Sequence, residues 1–496
     1  MLDLVFVPAA ALYLLVIGLM LVYGFNFFYL TFIAHSRRNA WQPAPPLENL
    51  PRVTVQLPVY NEMYVASRLI LAAAKLDYPA DLLEIQVLDD STDETTTIVA
   101  EQVAQLRAAG LNIQHLQRNN RLGFKSGALA HGLALAEGEY LAIFDADFLP
   151  TADFLRRTLP YFQDQRVGFV QARWGHVNRD YSLLTQLQSL AIDAHFMVEQ
   201  FARSQAGHWF NFNGTAGVWR REAIEAAGGW KSDTLTEDLD LSYRAFLSGW
   251  RGYFLRELEV PAELPVSFSA YRRQQHRWAR GSLECAMKYI PSVWRSRIPI
   301  GHKLEATLHL LGYGVHLLMC VLGLLYPFVL LLSQQHAGLF SLFGFAVLFN
   351  ASAMAPTIFF LIAQLQLGNR SWALLPMILF ISAFGAGMML NTVRAALEIV
   401  THKRGVFERT PKFGIVRRNQ DWRSRRYQLR LDPIVFFELG FALLNLGTAV
   451  AALHLHNWGI FAYALLFSIG LFFTSGLTII QALAIERSQI PVQNFG

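Results

Sequence analysis

Residues 84–93 read Glu84-Ile85-Gln86-Val87-Leu88-Asp89-Asp90-Ser91-Thr92-Asp93. A short strand-forming run ends in an acidic, turn-forming tail, and a helix-forming pattern follows to about Ala108. The same unit recurs on either side. Val53-Thr54-Val55-Gln56-Leu57 precedes Asn61-Glu62 and a helix over 63–76, and Tyr140-Leu141-Ala142-Ile143-Phe144 ends at Asp145-Ala146-Asp147. A further strand is expected at 112–116 and a helix at 125–137. Strands alternating with helices predict an α/β domain with a mostly parallel sheet, whose ligands gather at the C-terminal ends of its strands. Three acidic or polar clusters fall at such ends.

The rest of the chain is unlike this domain. Of 496 residues, 53% are apolar and 16% charged, with mean hydropathy +0.28; soluble domains carry about 25% charge. One large soluble enzyme is an odd reading of these figures, and a fibre and a disordered chain are excluded. Two cysteines, Cys285 and Cys320, are too few for a disulfide framework, and a net charge of +5 does not argue for nucleic acid. The excess apolarity sits at the two ends. Leu4 to Ile33 holds no Lys, Arg, Asp or Glu and ends without a small-residue cleavage site, so it is an anchor and not a removed signal peptide. Beyond Lys303 come apolar runs at about 306–332, 341–366, 373–397, 434–454 and 457–484.

Charge placement orients these segments. His35-Ser36-Arg37-Arg38 follows the first, and residues 401–432 carry ten Lys or Arg against none in 333–340. Positive charge stays inside, which puts the middle domain and the basic segment in the cytoplasm. Parity then requires one run between 304 and 400 to lie in the membrane plane, and 373–400, with Asn391, Arg394 and Glu398, has that pattern. The expected plan is an anchor at 1–34, a catalytic domain at 50–290, interfacial and transmembrane helices at 291–400, a basic loop at 401–432 and two spans at 433–485. That makes five spans, or six if the loop breaks the rule.

Several clusters bear chemistry. Asp145 and Asp147 flank a small residue just past a strand, where a divalent cation bridging to phosphate would relieve their repulsion; alone, the pair reads more readily as a turn with a capping Asp, and its place at a strand end beside a second acidic pair favours the metal. Ser91, Thr92 or Asp93 suffices to cap the next helix, which leaves Asp90 free to accept hydrogen bonds from a nucleobase or ribose. Gly123-Phe124-Lys125-Ser126-Gly127 opens a helix but lacks P-loop spacing. Thr236-Glu237-Asp238 holds more acid than capping requires, and a carboxylate there would serve as general base. Gln274-Gln275-His276-Arg277-Trp278 lies in a basic stretch suited either to lipid headgroups or to a pyrophosphate and a sugar ring.

In this order, Asp89-Asp90, Asp145-Ala146-Asp147, Thr236-Glu237-Asp238 and Gln274…Arg277-Trp278 resemble the processive family-2 membrane glycosyltransferases: cellulose, hyaluronan and mannan synthases. Phe212-Asn213-Gly214-Thr215-Ala216-Gly217-Val218-Trp219-Arg220 looks closer still to the plant cellulose-synthase-like mannan and glucan synthases. The resemblance implies a cytoplasmic GT-A-type, Rossmann-like domain between membrane segments. It implies Asp90, Glu62, Lys125, Asp145, Gln274 and Arg277 at the donor, Asp145 and Asp147 on Mg²⁺ or Mn²⁺, and Asp238 with Glu237 at the catalytic position. Trp278, Asn213 and Gly214 would meet the acceptor. Phe407-Glu408-Arg409-Thr410-Pro411-Lys412 looks like the cellulose synthases' gating loop, with Arg409 where that motif usually has valine.

The implied reaction is inverting transfer of a hexose from GDP-mannose or UDP-glucose to a growing β-linked polysaccharide, coupled to translocation through the bilayer. A glycolipid synthase, adding one sugar to ceramide or diacylglycerol, is the alternative. A transporter would need intramembrane acids, and the later spans offer little beyond Glu398 and Glu438. The short N-terminus favours a bacterial inner membrane, with a Golgi membrane as the eukaryotic counterpart.

Overall fold

The computed structural model describes residues 3–40, 44–335, 351–369, 371–403, 405 and 407–487. Seven strands form one sheet: β1 (Val53–Val59), β2 (Leu83–Asp89), β3 (Ile113–Gln117), β4 (Tyr140–Ile143), β5 (Val167–His176), β6 (Gly217–Arg220) and β7 (Arg251–Ala262). Their spatial order is β3-β2-β1-β4-β6-β5-β7. β1, β2 and β4 are buried almost throughout, as central parallel strands covered on both faces must be, and the polar residues of β1 and β2 pair with each other, Thr54 with Glu84 and Gln56 with Gln86. The first four strands pair in parallel, and β6 runs antiparallel between β4 and β5. The helices expected at 63–76 and 125–137 are Ala66–Ala73 and Phe124–Leu135.

The chain steps outward from β1 through β2 to β3, then returns to the other side of β1 for β4. That reversal is a topological switch point, where ligand clefts open in α/β sheets. Val59 stands opposite Asp89 and Gln56 opposite Ile143, so the acidic tails of β1, β2 and β4 emerge beside one another.

Among the described residues, five helices are long and apolar enough to cross a membrane: Pro8–Ser36, Gly314–Leu332, Trp372–Val400, Ile434–His454 and Trp458–Glu486. Val16 and Ile17 of the first pack into one cluster with Leu322, Tyr326, Phe467 and Leu471 of the later ones. The segment expected to lie in the membrane plane, 373–400, has instead the length and composition of a span, and it is built of two helices, Ser371–Gly387 and Met389–Val400. Its polar residues face protein: Asn391 is buried and donates to the Arg272 carbonyl at 3.1 Å, and Arg394 pairs with Asp432 at 2.8 Å. A shorter apolar helix covers 351–366. The part of the expected run over 341–350, and 336–340 of the uncharged loop, lie outside the described residues.

One long helix, Phe268–Arg295, joins the sheet domain to these apolar helices. Arg272, 1% exposed, donates to Glu438 Oε2 at 2.8 Å and to Thr478 Oγ1 at 3.0 Å, and the Phe268 amide donates to Gln481 Oε1 at 2.8 Å. Breaking a buried ion pair on one side strands the other charge, at about 3–5 kcal/mol. Glu438→Leu should therefore lower the thermal unfolding temperature of the detergent-solubilised protein sharply. The double variant Arg272→Met with Glu438→Leu should recover most of that loss.

Candidate active site

Every residue singled out from the sequence lines a single cavity at the C-terminal ends of β1, β2 and β4: Glu62, Asp90, Lys125, Asp145, Asp147, Asn213, Gly214, Glu237, Asp238, Gln274, Arg277 and Trp278. They come from separate parts of the chain, and local constraints hold each in place.

Asp145 and Asp147 follow β4 directly. Lys125, in the first turn of Phe124–Leu135, reaches Asp145 Oδ1 at 2.6 Å, donates to the Gly214 carbonyl at 2.9 Å and lies 3.8 Å from Glu237 Oε1. Burial works against its charge, but Asp145 and Glu237 outweigh that and hold it protonated, above the ordinary lysine range. Asp147 accepts from Lys412 at 2.6 Å. An ammonium group on each carboxylate shows a pair of acids arranged to receive positive charge. Among the described residues no three His, Cys, Asp or Glu cluster to cage a metal. Mg²⁺ needs no such cage, since one or two carboxylates with substrate phosphates suffice. Asp145 and Asp147 fit that donor set.

Asp238 sits at the start of the helix Glu237–Leu247, its Oδ1 accepting from the Leu239 amide at 2.9 Å. Burial, then the adjacent Glu237 carboxylate, push its pKa up to about 7 against the pull of Lys125. The nearby acid Asp240 has a different job. It is fully buried and bonded to Arg244, Lys288 and Tyr289, which ties this helix to Phe268–Arg295. Gly281 completes that docking, because a Cβ there would stand 2.5 Å from Thr236. Gly214 has φ +78°, and a Cβ on it would meet Asp238 Oδ2 at 3.0 Å. Its neighbour Asn213 is gripped by Gln200 Nε2 at 2.5 Å, from the π-helical turn His195–Gln200.

Asp90 lines the cavity, yet both its carboxylate oxygens accept from Arg118, which also holds the carbonyls of Leu122 and Phe124. Arg118 belongs to no motif, so nothing in the sequence pointed to it. Arg121, 3.4 Å from the Tyr60 ring centroid, was equally unforeseen. Trp174 was missed as well; its ring lies 6.4 Å from Trp278 in a tilted pair. Burial raises the Glu62 carboxyl to about 8, although Arg409 opposes it.

Residues 407–412 lie across this cavity. Phe407 stacks on Phe124 at 5.8 Å, and the Arg277 guanidinium lies 4.7 Å from the Phe407 ring and donates to the Glu408 carbonyl at 2.7 Å. A second cavity adjoins the first and shares Trp174, Asn213, Asp238, Gln274 and Trp278 with it; it continues to His195, Tyr313 and His316, beside the membrane-length helix Gly314–Leu332.

Residues 51–281 match the model of a family described as glycosyltransferase like family 2. This segment is similar to the family-2 glycosyltransferases. Over 254 residues, 50% of its length, the chain is 47% identical to glucomannan 4-beta-mannosyltransferase 2 of Arabidopsis thaliana, covering 48% of that protein. Over 255 residues it is 45% identical to glucomannan 4-beta-mannosyltransferase 1 of Oryza sativa subsp. japonica, covering 50% of this chain and 48% of that one. The chain spans about half the length of these curated relatives. The mannosyltransferase PcManGT from Pyrobaculum calidifontis, solved in complex with GDP-Man and Mn²⁺, has a similar fold. The TM-score is 0.51 at 22% identity, over 82% of this chain and 100% of that one. The sheet domain is thus of GT-A type, and the resemblance drawn from the four motifs holds for it.

The burial of Asp238 makes stability depend on pH. An aspartate has a pKa of about 3.9 in an unfolded chain, whereas that of Asp238 is raised by folding. The folded state therefore binds its proton more tightly and loses relative stability as pH rises between the two values. Asp238→Asn avoids the buried charge. The variant's unfolding temperature minus that of wild type should become more positive from pH 5 to pH 8, and a difference independent of pH would refute the burial argument.

Proposed function

We propose that the protein transfers mannose from GDP-mannose, with inversion, to the end of a growing β-linked polysaccharide at a membrane. The observation that carries this reading is the single cavity in which the residues of all four motifs meet, in a domain 47% identical to a glucomannan 4-beta-mannosyltransferase. GDP-mannose is favoured over UDP-glucose because the relatives are named mannosyltransferases and the similar-fold enzyme holds GDP-Man and Mn²⁺. The relatives come from plants, which lends no support to a bacterial inner membrane over a Golgi one.

In this reading the donor lies over the switch point between β1 and β4. Asp90, oriented by Arg118, meets the nucleoside, and Lys125 and Arg277 flank the diphosphate. Asp145 and Asp147 would hold Mg²⁺ or Mn²⁺ jointly with the phosphates, and its charge would ease departure of the nucleoside diphosphate. The acceptor enters from the second cavity, with its terminal sugar against Trp278 and Trp174. Asp238 takes the proton of the attacking hydroxyl as that oxygen bonds to the anomeric carbon and the bond to phosphate breaks on the opposite face. A base with a pKa near neutrality is suited to this step. Attack from the far face turns an α-linked donor into a β-linked product without a covalent enzyme intermediate. Lysine and arginine charges fixed before reaction stabilise the leaving diphosphate with little reorganisation. The domain faces the side on which the basic segment 401–432 lies, and the second cavity leads the product toward the apolar helices.

The test is Asp238→Asn in the full-length protein reconstituted in lipid. Mannose transfer should fall by at least about 10²-fold, the lower range for a positioned base, while GDP binding stays within about twofold of wild type. Wild-type initial rate should climb with pH through about 7, following ionisation of Asp238. Retained turnover, or loss of nucleotide binding along with transfer, would refute the assignment of Asp238.

A further inference from the structure

Arg409 is the least satisfied charge in the cavity. Its side chain is 9% exposed, and neither Nη1 nor Nη2 has a hydrogen-bond partner among the described residues. Nη1 lies 3.1 Å from Glu62 Oε2, close enough for ion pairing but misaligned, and Glu62 Oε2 is itself without a hydrogen bond. The face of the guanidinium covers the Tyr427 ring at 4.0 Å from its centroid. A buried guanidinium with open donors is costly, because an unmet charged donor forfeits its hydration without return. Such a group in a native cavity points to a missing partner.

The neighbouring residues identify that partner. On one side of Arg409, the Glu408 carbonyl is held by Arg277 at 2.7 Å. On the other side, Lys412 reaches Asp147 at 2.6 Å and the Glu263 carbonyl at 2.9 Å. The Glu263 carboxylate in turn accepts from the Phe413 amide at 2.9 Å, which pins the far end of the segment. Arg409 is thus suspended between an arginine and an acid-bound lysine, over the same cavity. The Thr410 hydroxyl beside it is likewise buried without a hydrogen-bond partner among the described residues. Two adjacent donors left open at the positive end of a cavity suit an oxyanion with several acceptor oxygens. The planar guanidinium can present one edge to Glu62 and the other to a phosphate, a geometry that neither valine nor lysine offers.

We propose that Arg409 is a donor-binding residue, which meets the diphosphate of the nucleotide sugar while Glu62 holds its other edge. The inference rests on the nucleotide-sugar reading of the cavity. It adds to the segment 407–412 a charged contact at the position where the motif it resembles has valine.

The test measures equilibrium binding of GDP, UDP, guanosine and uridine to the full-length protein in lipid nanodiscs, with Mg²⁺ present, for wild type, Arg409→Val and Arg409→Lys. Loss of a charge-assisted contact should weaken nucleoside diphosphate binding about tenfold or more in Arg409→Val. Nucleoside affinity should stay within twofold, and Arg409→Lys should recover part of the loss. Should Arg409→Val fail to fold, Arg409→Gln carries the same expectation. Unchanged diphosphate affinity would overturn the proposal, as would an equal loss for nucleoside and diphosphate, because Arg409 would then only brace Tyr427 and the segment. Failure of wild type to bind either nucleotide would overturn the donor reading itself, and this proposal with it.

Discussion

The buried contact between Arg272 and Glu438 fixes one helix, and that helix serves two environments. Along Phe268–Arg295, Arg272 is clamped into the apolar helices, while Gln274, Arg277 and Trp278 line the cavity. Farther along, Gly281 lets the same helix close on Thr236, and Lys288 and Tyr289 seize Asp240. The position of Asp238 is therefore set by a helix that the membrane segments themselves hold in register. Such a chain of contacts explains why a soluble-looking sheet domain carries part of its site on a helix anchored elsewhere.

Charge pairing organises the cavity in the same economical way. Asp90 is matched by Arg118, Asp145 by Lys125, Asp147 by Lys412 and Glu62 by Arg409. Among the described residues Asp238 has no such dedicated cation and shares Lys125 with Asp145 and Glu237, so burial lifts its pKa. A site with paired acids and one poorly compensated acid suits a reaction in which negative charge leaves on a diphosphate and a proton must be collected elsewhere.

Much of this was legible in the sequence, and the limits have physical causes. Strands β1, β2 and β4 carry their period and their acidic tails locally, so Asp90, Asp145 and Asp147 could be found without a structure. Strands β5 to β7 lack such a repeated strand-and-acidic-tail unit, and their pairings, β6 with β4 and β5 and β5 with β7, join residues distant in the chain. The segment 373–400 looked interfacial because Asn391 and Arg394 are polar; their partners, Arg272 and Asp432, lie far away in the chain and come close only on folding. Arg118, Trp174 and the orphaned donors of Arg409 share this character, since each matters through a neighbour distant in sequence. The segment 407–412 was noticed by its motif, but its seat over Asp147 and Glu62 is a fact of tertiary structure.

The product distinguishes a polymerising mannosyltransferase from every other reading of this cavity. The decisive measurement supplies the full-length protein, in lipid nanodiscs with Mg²⁺ or Mn²⁺, with GDP-mannose and separately with UDP-glucose, follows nucleoside diphosphate release, and sizes the saccharide formed. The account predicts GDP release coupled to a ladder of β-linked mannose oligomers. A single glycolipid product would contradict the polymerising reading, and no diphosphate release from any common nucleotide sugar would contradict the glycosyltransferase reading altogether.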